Sequence, residues 1–285
     1  MVIERSKIYE NEMTITQFSK LSNHIKNICG INLSGDKKTM VESRLRKRIK
    51  LLEFNSFRDY INYVLSFEGQ KEETRILIDL ISTNKTDFFR EEQHFQVLQN
   101  DLLPTLFGKG IGRDNKLRIW CAASSSGEEP YTIAFYLNEF QTANPSFNFE
   151  FISSDISTRV LKKAALAVYE KEKIDPIPAV FKRKYLLKGK NNQQGLYRIV
   201  PEIRKLVKFF RQNLIHDSYN IEDIQDIIFC RNVLIYFDNP TKEKIVNTMC
   251  KYLNKGGYLL LGHAESLNGI KAPLERIQST IYRKL

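Results

Sequence analysis

Apolar residues in the first part of the chain recur at helical spacing. In TMVESRLRKRIKLLEF, Val41, Leu45, Ile49 and Leu52 stand at i, i+4, i+8 and i+11, one stripe along a helix. SFRDYINYVLSF and the run from Glu72 to Ile81 repeat the pattern, so the first 80 residues read as all-helical. At Leu117 the period changes. LRIWCAA reads as a strand, and PYTIAFYLNEF as a helix with Pro130 in its first turn. FEFISSD is a second strand ending on Asp155, and STRVLKKAAL a helix capped by Ser157. DIIFC, NPTKEKIVNTMCKYL (Asn239 as its cap) and GGYLLLGH continue the alternation, and IYRKL is expected to close the sheet as an edge strand. Such alternation implies a largely parallel sheet, right-handed crossovers and helices on both faces. Between about 176 and 214 the short runs YLLKG, LYRIV and LVKFF, separated by turn residues, predict a small antiparallel β-insert. The expected division is a helical domain over 1–80 and an α/β domain over 81–285 that carries the insert.

Composition narrows the class. With 285 residues, 42% hydrophobic and 27% charged, the chain is of ordinary globular type. Its longest apolar runs fall far short of the ~20 residues a membrane span needs. The opening MVIERSKIYENEM has no apolar signal region. A cytoplasmic protein is expected. Cys29, Cys121, Cys230 and Cys250 form no CxxC, and His24, His94, His216 and His263 show no metal-ligand spacing. Neither a zinc site nor a disulfide framework is expected, and the thiols read as buried and reduced. A monomer is the default, since no pairing surface stands out.

The net charge of +11 is concentrated in two places. Residues 37–50 hold seven basic residues against Glu42, and residues 182–211 hold ten against Glu202. The remainder is slightly acidic. Local basicity points to acidic partners at two sites rather than to a uniformly basic surface.

The chemistry is expected at the carboxyl ends of the strands, where open α/β sheets bind ligands. The turn after LRIWCAA reads SSSGEEP and delivers Gly127, Glu128 and Glu129. A phosphate-cradling loop offers backbone N–H groups and usually a lysine; here carboxylates stand instead and would repel a pyrophosphate. Asp155 stands where an acid holds ribose hydroxyls. Arg231 and Asn232 follow DIIFC. A cofactor with a ribose, positive charge and no phosphate fits this set, and S-adenosylmethionine has all three properties. One of the two glutamates serves the helix N-terminus electrostatically.

Read in order, STNKTDFFREEQHF (82–95), WCAASSSGEEPY (120–131), SSDIS (153–157), FCRNVLIYF (229–237) and GGYLLLGHAESL (256–267) resemble the CheR family of chemotaxis receptor methyltransferases. The resemblance runs from the basic N-terminal helix onward. It implies a Rossmann-like class I methyltransferase sheet with an N-terminal all-helical domain and an inserted β-subdomain. It also implies methyl transfer from S-adenosylmethionine to receptor glutamates. On the family's pattern Asn84, Thr86 and Arg90 belong to the cofactor-contacting segment, with Arg90 near the methionine carboxylate or the reacting centre. One of Glu128 and Glu129 reaches the cofactor, with Glu129 favoured. Asp155 holds the ribose, Asn213 and Leu214 lie near the adenine, and Arg231 and Asn232 form the RN pair. Tyr236 lies beside the transferred methyl. His263 and Glu265 match a GHxE stretch. The resemblance further implies that Arg44, Arg46, Lys47, Arg48 and Lys50 read a receptor's acidic helix surface. Lys188, Gly189, Gly195 and Arg198 match the β-subdomain that in some members docks a receptor's C-terminal tail.

Two other readings compete. A nucleic-acid methyltransferase on the same fold would use the basic charge on phosphates, but such enzymes often carry an NPPY-like turn where this chain has RNVLIYF. A non-catalytic receptor-binding adaptor would leave the intact cofactor motif without a purpose.

Overall fold

The computed structural model describes residues 12–285; the opening segment weighed above for a signal region lies largely outside them. The chain divides into two compact units, one running to Thr83 and including Tyr236–Asp238, the other comprising Asn84–Ile235 and Asn239–Leu285.

The first unit is helical. Helix α1 (Ile15–Cys29) begins with a reciprocal capping box between Thr14 and Gln17 and stops at Gly30, whose φ of 76° suits a residue without Cβ. Helix α2 (Lys38–Leu51) buries Val41, Leu45 and Ile49, the predicted stripe. Helices α3 (Phe57–Leu65) and α4 (Phe67–Ile81) start on Ser56 and Ser66, whose hydroxyls accept the N–H groups of Asp59 and Gly69. Buried charge is paired in this unit. Glu73 takes Arg48 and the Tyr60 hydroxyl, and Glu42 takes Lys38 and the Met13 N–H.

The second unit is an α/β sheet. Two short helices, α5 (Gln93–Val97) and α6 (Leu103–Gly108), flank a π-turn and precede β1 (Leu117–Cys121). There follow α7 (Glu128–Ala143), β2 (Phe149–Asp155), α8 (Thr158–Leu166) and β3 (Val168–Glu170). Next come α9 (Lys171–Ile174), α10 (Ala179–Tyr185), β4 (Leu186–Lys188), β5 (Leu196–Ile199), α11 (Pro201–Arg204) and β6 (Val207–Arg211). The chain ends with β7 (Gln225–Cys230), α12 (Asn239–Lys251), β8 (Leu253–Leu261), β9 (Leu274–Gln278) and β10 (Ile281–Lys284). The main sheet runs β6-β2-β1-β7-β8-β10-β9, its first five strands parallel and β10 antiparallel to both of its neighbours. Because β2 lies on one side of β1 and β7 on the other, strand order reverses at β1, which opens a crevice there.

Two expectations are corrected. IYRKL is not the edge of the sheet: β10 lies between β8 and β9, and β9 takes the edge. LERIQ, which forms β9, is mostly polar because an edge strand is largely solvated, so its pattern gave no signal. LVKFF is not part of the insert either. It forms β6 and pairs in parallel with β2, Phe151 opposite Val207 and Asp155 opposite Arg211. The small antiparallel sheet is instead β3-β5-β4, completed by Val168–Glu170. Three residues are too few to show a period, whereas the aromatic run of β6 matches either setting.

Candidate cofactor and methyl-transfer site

The loop from Ala122 to Gly127 leaves β1 at the strand-order reversal and is tied down on several sides. The Ala122 N–H donates to the Phe229 carbonyl on β7, 2.7 Å, and the Ser124 N–H to the Ser154 carbonyl on β2, 2.9 Å. Ser125 holds a left-handed φ of 49° and links two other segments. Its N–H reaches Asp155 Oδ2 at 2.8 Å, and its hydroxyl reaches the Asn84 carbonyl at 3.0 Å. Gly127, at φ 101°, is required by packing as well as by conformation. A Cβ there would lie 2.8 Å from the Tyr169 hydroxyl and 3.0 Å from Ala164 Cβ.

The two glutamates that follow differ in surroundings. Glu128 is 1% exposed and accepts the Ser126 hydroxyl at 2.7 Å, with Lys173 Nζ 3.9 Å away. Glu129 keeps 11% of its side chain exposed, with Oε2 2.7 Å from Arg231 Nη1 and Oε1 accepting the Cys121 thiol at 3.4 Å. Burial raises the pKa of both, opposed by the Ser126 hydroxyl at Glu128 and by Arg231 at Glu129.

Asp155 ends β2, buried, and its Oδ1 accepts the Ser157 N–H at 2.9 Å. Each carboxylate oxygen therefore accepts a backbone N–H. Past β6, the Ile215 N–H donates to Asn213 Oδ1 at 3.3 Å and the Tyr219 hydroxyl to the Leu214 carbonyl at 2.9 Å, fixing both residues after the strand that neighbours Asp155.

Arg231 follows β7 and pairs with two acids. Besides Glu129 it reaches Glu91 Oε2 at 3.0 Å and the Arg90 carbonyl, and its side chain is fully buried. Glu91 also accepts Asn232 Nδ2 and the His263 N–H, both at 3.0 Å. Although burial pushes the Glu91 carboxyl up, Asn232, Arg231 and the His263 amide outweigh it and hold the group down at about 2. Phe89 and Glu91, the residues flanking Arg90, both adopt left-handed φ of 57° and 56°. Such strain in non-glycine residues persists only where the surroundings impose it. Here Phe89 is buried among aromatic rings and Glu91 is gripped by the network. Arg90 is thereby held with its Nη1 on the Lys85 carbonyl, 3.0 Å.

Glu91, His94 and His263 bring one potential metal-ligating atom each within 4.8 Å of one another. Glu91 Oε2 already accepts two N–H bonds, from Arg231 and His263, so its lone pairs are committed. The arrangement reads as part of the Arg231 network.

Asn84, Thr86, Arg90, Glu128, Glu129, Asp155, Asn213, Leu214, Arg231 and Asn232 thus all lie in the sheet unit, on the strand ends or on segments bonded to them. Tyr236 does not. It belongs to the helical unit, where its carbonyl accepts the Asn32 N–H at 2.8 Å. Among the basic residues of α2, Arg44 donates to the Ile81 and Ser82 carbonyls at the end of α4, and Arg48 pairs with Glu73. Lys47 and Lys50 are exposed, and Arg46 lies over the Phe57 ring. Lys188, Gly195 and Arg198 are exposed around β4 and β5, with Gly189 donating to the Leu196 carbonyl. Sequence reasoning missed Glu91 and Ser125. Glu91 stood inside a motif already singled out, but its partners lie about 140 residues on.

Two polar atoms test whether the site suits the expected cofactor. Asn84 Nδ2 and Ser124 Oγ are both buried without a partner. An amide donor and a hydroxyl, beside carboxylates and without a phosphate-binding lysine on the loop, fit a ligand that has a carboxylate, hydroxyls and cationic centres. S-adenosylmethionine is such a ligand. Residues of this kind at the strand-order reversal of a mostly parallel sheet suit an S-adenosylmethionine-dependent methyltransferase.

Comparison with known proteins agrees. Residues 84–283 match the family model described as CheR methyltransferase, SAM binding domain, and residues 16–82 match CheR methyltransferase, all-alpha domain. The chain belongs to the CheR methyltransferase family. It is 40% identical over 274 residues to a chemotaxis protein methyltransferase of Borreliella burgdorferi, covering 95% of each chain. It is 35% identical to chemotaxis protein methyltransferase 2 of Pseudomonas aeruginosa, covering 96% of this chain and 94% of that one. Among solved structures, the glycopeptide N-methyltransferase MtfA complexed with S-adenosylmethionine aligns over 71% of this chain and 61% of its own, at 15% identity and a TM-score of 0.35. No helix among the described residues is long and apolar enough to cross a membrane.

Proposed function

We propose that this enzyme esterifies the side-chain carboxylate of specific glutamates on the cytoplasmic helices of chemotaxis receptors. The observation that carries the reading is the pair of carboxylates at neighbouring strand ends, Asp155 and Glu129, the second oriented by buried Arg231. Asp155 would hold the ribose hydroxyls and Glu129, the more exposed of the two glutamates, the cofactor's amino group. Asn84 and Arg90 would take its carboxylate, and Asn213 and Leu214 would border the adenine. Thr86 and Asn232 would complete the binding surface, and Glu128 would stay with Ser126 and the helix N-terminus. When bound, the cofactor supplies an electrophilic methyl on a positively charged sulfur.

The reaction needs no general base. A substrate glutamate, with an ordinary pKa near ~4.3, is ionised at neutral pH. With the cofactor held by Asp155, Glu129 and Asn84, that carboxylate would receive the methyl directly, with no proton for the protein to move. The protein's task is position and field. Arg90 would steer the incoming carboxylate. On the helical unit, Arg46, Lys47 and Lys50 of α2 would read acidic neighbours of the target glutamate. Arg44 and Arg48 would support that helix from within. Exposed Lys188 and Arg198, with the turns at Gly189 and Gly195, would meet a receptor tail where one exists. A cytoplasmic, monomeric protein would suit this role.

The deciding experiment supplies isotopically labelled S-adenosylmethionine to a receptor cytoplasmic fragment and then applies mild alkali. Label released by alkali from the receptor establishes carboxyl methyl esters. Label that stays on the receptor, or that appears on added nucleic acid instead, refutes the reading.

A further inference from the structure

The turn after β7 is built around a carboxylate that the transfer reaction does not itself require. Glu265 Oε1 accepts the N–H groups of Val233 at 2.9 Å and Leu234 at 2.7 Å. Its Oε2 accepts those of Asn232 at 2.8 Å and Gly262 at 2.6 Å. A weaker contact to the Ile235 N–H, 3.4 Å, completes the set. Successive N–H groups converge in this way because Asn232 is left-handed, at φ 56°, before the helical turn Leu234–Tyr236. Such a concavity is an anion site. Here the chain fills it with its own side chain, 5% exposed.

Glu265 reaches the turn because the end of β8 approaches it closely. A Cβ on Gly262 would lie 2.4 Å from Asn232 Nδ2 and 2.8 Å from the Asn232 nitrogen. Asn232 is consequently fixed twice, its backbone by Glu265 and its side-chain amide by Glu91. Burying a carboxylate is costly unless it is well bonded. An apolar residue at 265 would leave several buried N–H groups unpaired, and a neutral amide would present a donor to donors.

We infer that Glu265 is a positioning residue for methyl transfer: through the backbone of Asn232 it fixes where Arg231 and Asn232 stand. The inference rests on the proposed place of that pair at the cofactor. Glu265 touches neither cofactor nor substrate in this reading, and its effect must pass through Asn232.

The test is a double-mutant cycle of Glu265→Gln and Asn232→Ala in the full-length enzyme. Cofactor affinity is measured by calorimetry, kcat and KM by labelled methyl transfer to a receptor fragment, and folding by thermal melting. Glu265→Gln should lose about tenfold or more in kcat/KM, the scale of one misplaced charge-assisted hydrogen bond. The loss should lie in kcat and cofactor affinity, with receptor KM unchanged, and in the double variant the two losses should be clearly less than additive. Additive losses, or a loss of melting temperature without a kinetic effect, overturn the inference. Should Glu265→Gln not fold, Glu265→Asp keeps the charge one methylene short. It must then show the same kinetic split to support the inference, and wild-type kinetics would overturn it. Asn232→Ala with wild-type affinity and turnover would instead overturn the cofactor-site reading on which the inference rests.

Discussion

Arg231 Nη1 lies 2.7 Å from Glu129 Oε2, joining the end of β7 to the first turn of α7 across the point where strand order reverses. The same guanidinium holds Glu91 and the Arg90 carbonyl. One buried cation therefore aligns the acidic turn and the arginine assigned to the reacting centre.

Replacing Arg231 by Met should be severe. It leaves Glu129 and Glu91 facing a site that has lost its cation, at a cost of about 3–5 kcal/mol. Thermal melting should show the loss, and calorimetry should find cofactor binding abolished. Arg231→Lys restores charge but not the fork that spans two carboxylates and a carbonyl, and should recover only part of the stability.

Asp155→Asn should weaken S-adenosylmethionine binding by roughly 10–100-fold. The Ser125 and Ser157 N–H bonds also depend on this side chain, so the loop after β1 should loosen as well. Faster amide exchange at Ser125 would report that. Unchanged affinity would remove Asp155 from the site.

Acid should destabilise the sheet unit in two stages. Burial and the nearby Arg231 charge lower the His94 pKa to about 4, so the unfolded chain binds a proton below about 6.5 that the folded protein refuses. That contribution to stability is lost as pH falls from 6.5 to 4. Glu91, held down at about 2, contributes stability above the ordinary carboxylate range that disappears as pH falls further. Denaturant titrations should slope downward across the first window, and His94→Gln should flatten that slope.

On α2, neighbouring arginines should separate cleanly by role. Arg44→Ala removes donors to the final carbonyls of α4 and should cost about 1–2 kcal/mol of stability in chemical denaturation. Reversing Arg46 and Lys47 to Glu should leave melting nearly unchanged and raise receptor KM. A shift in cofactor affinity with constant receptor KM would contradict the recognition role.

Much of this was legible in the chain because the deciding patterns are local. The stripe Val41, Leu45 and Ile49, the strand LRIWC and the Ser157 cap all follow from spacing within a few residues. The acidic turn after β1 could be read the same way, since a strand end and two glutamates stand side by side in sequence. What escaped was set by distant pairing. LVKFF suits a central or an insert strand equally, and only its register against FEFISSD decides. Three-residue β3 carries no period at all. The Arg231 network joins residues about 100 and 140 positions apart. No local pattern reveals that Glu91 is its second acid or that Arg44 points at the end of α4.

The four cysteines are all buried and carry no disulfide; burial pushes the Cys29 and Cys250 thiols up to about 11 and also raises those of Cys121 and Cys230 well above their ordinary value. Thiolate, the form that alkylating reagents attack, is thus suppressed as long as the fold stays closed. Alkylation becomes a clock for opening events. Cys29 times the helices, and the other three time the sheet, so a single mass-spectrometric time course would rank the opening free energies of the two units in the unmodified protein.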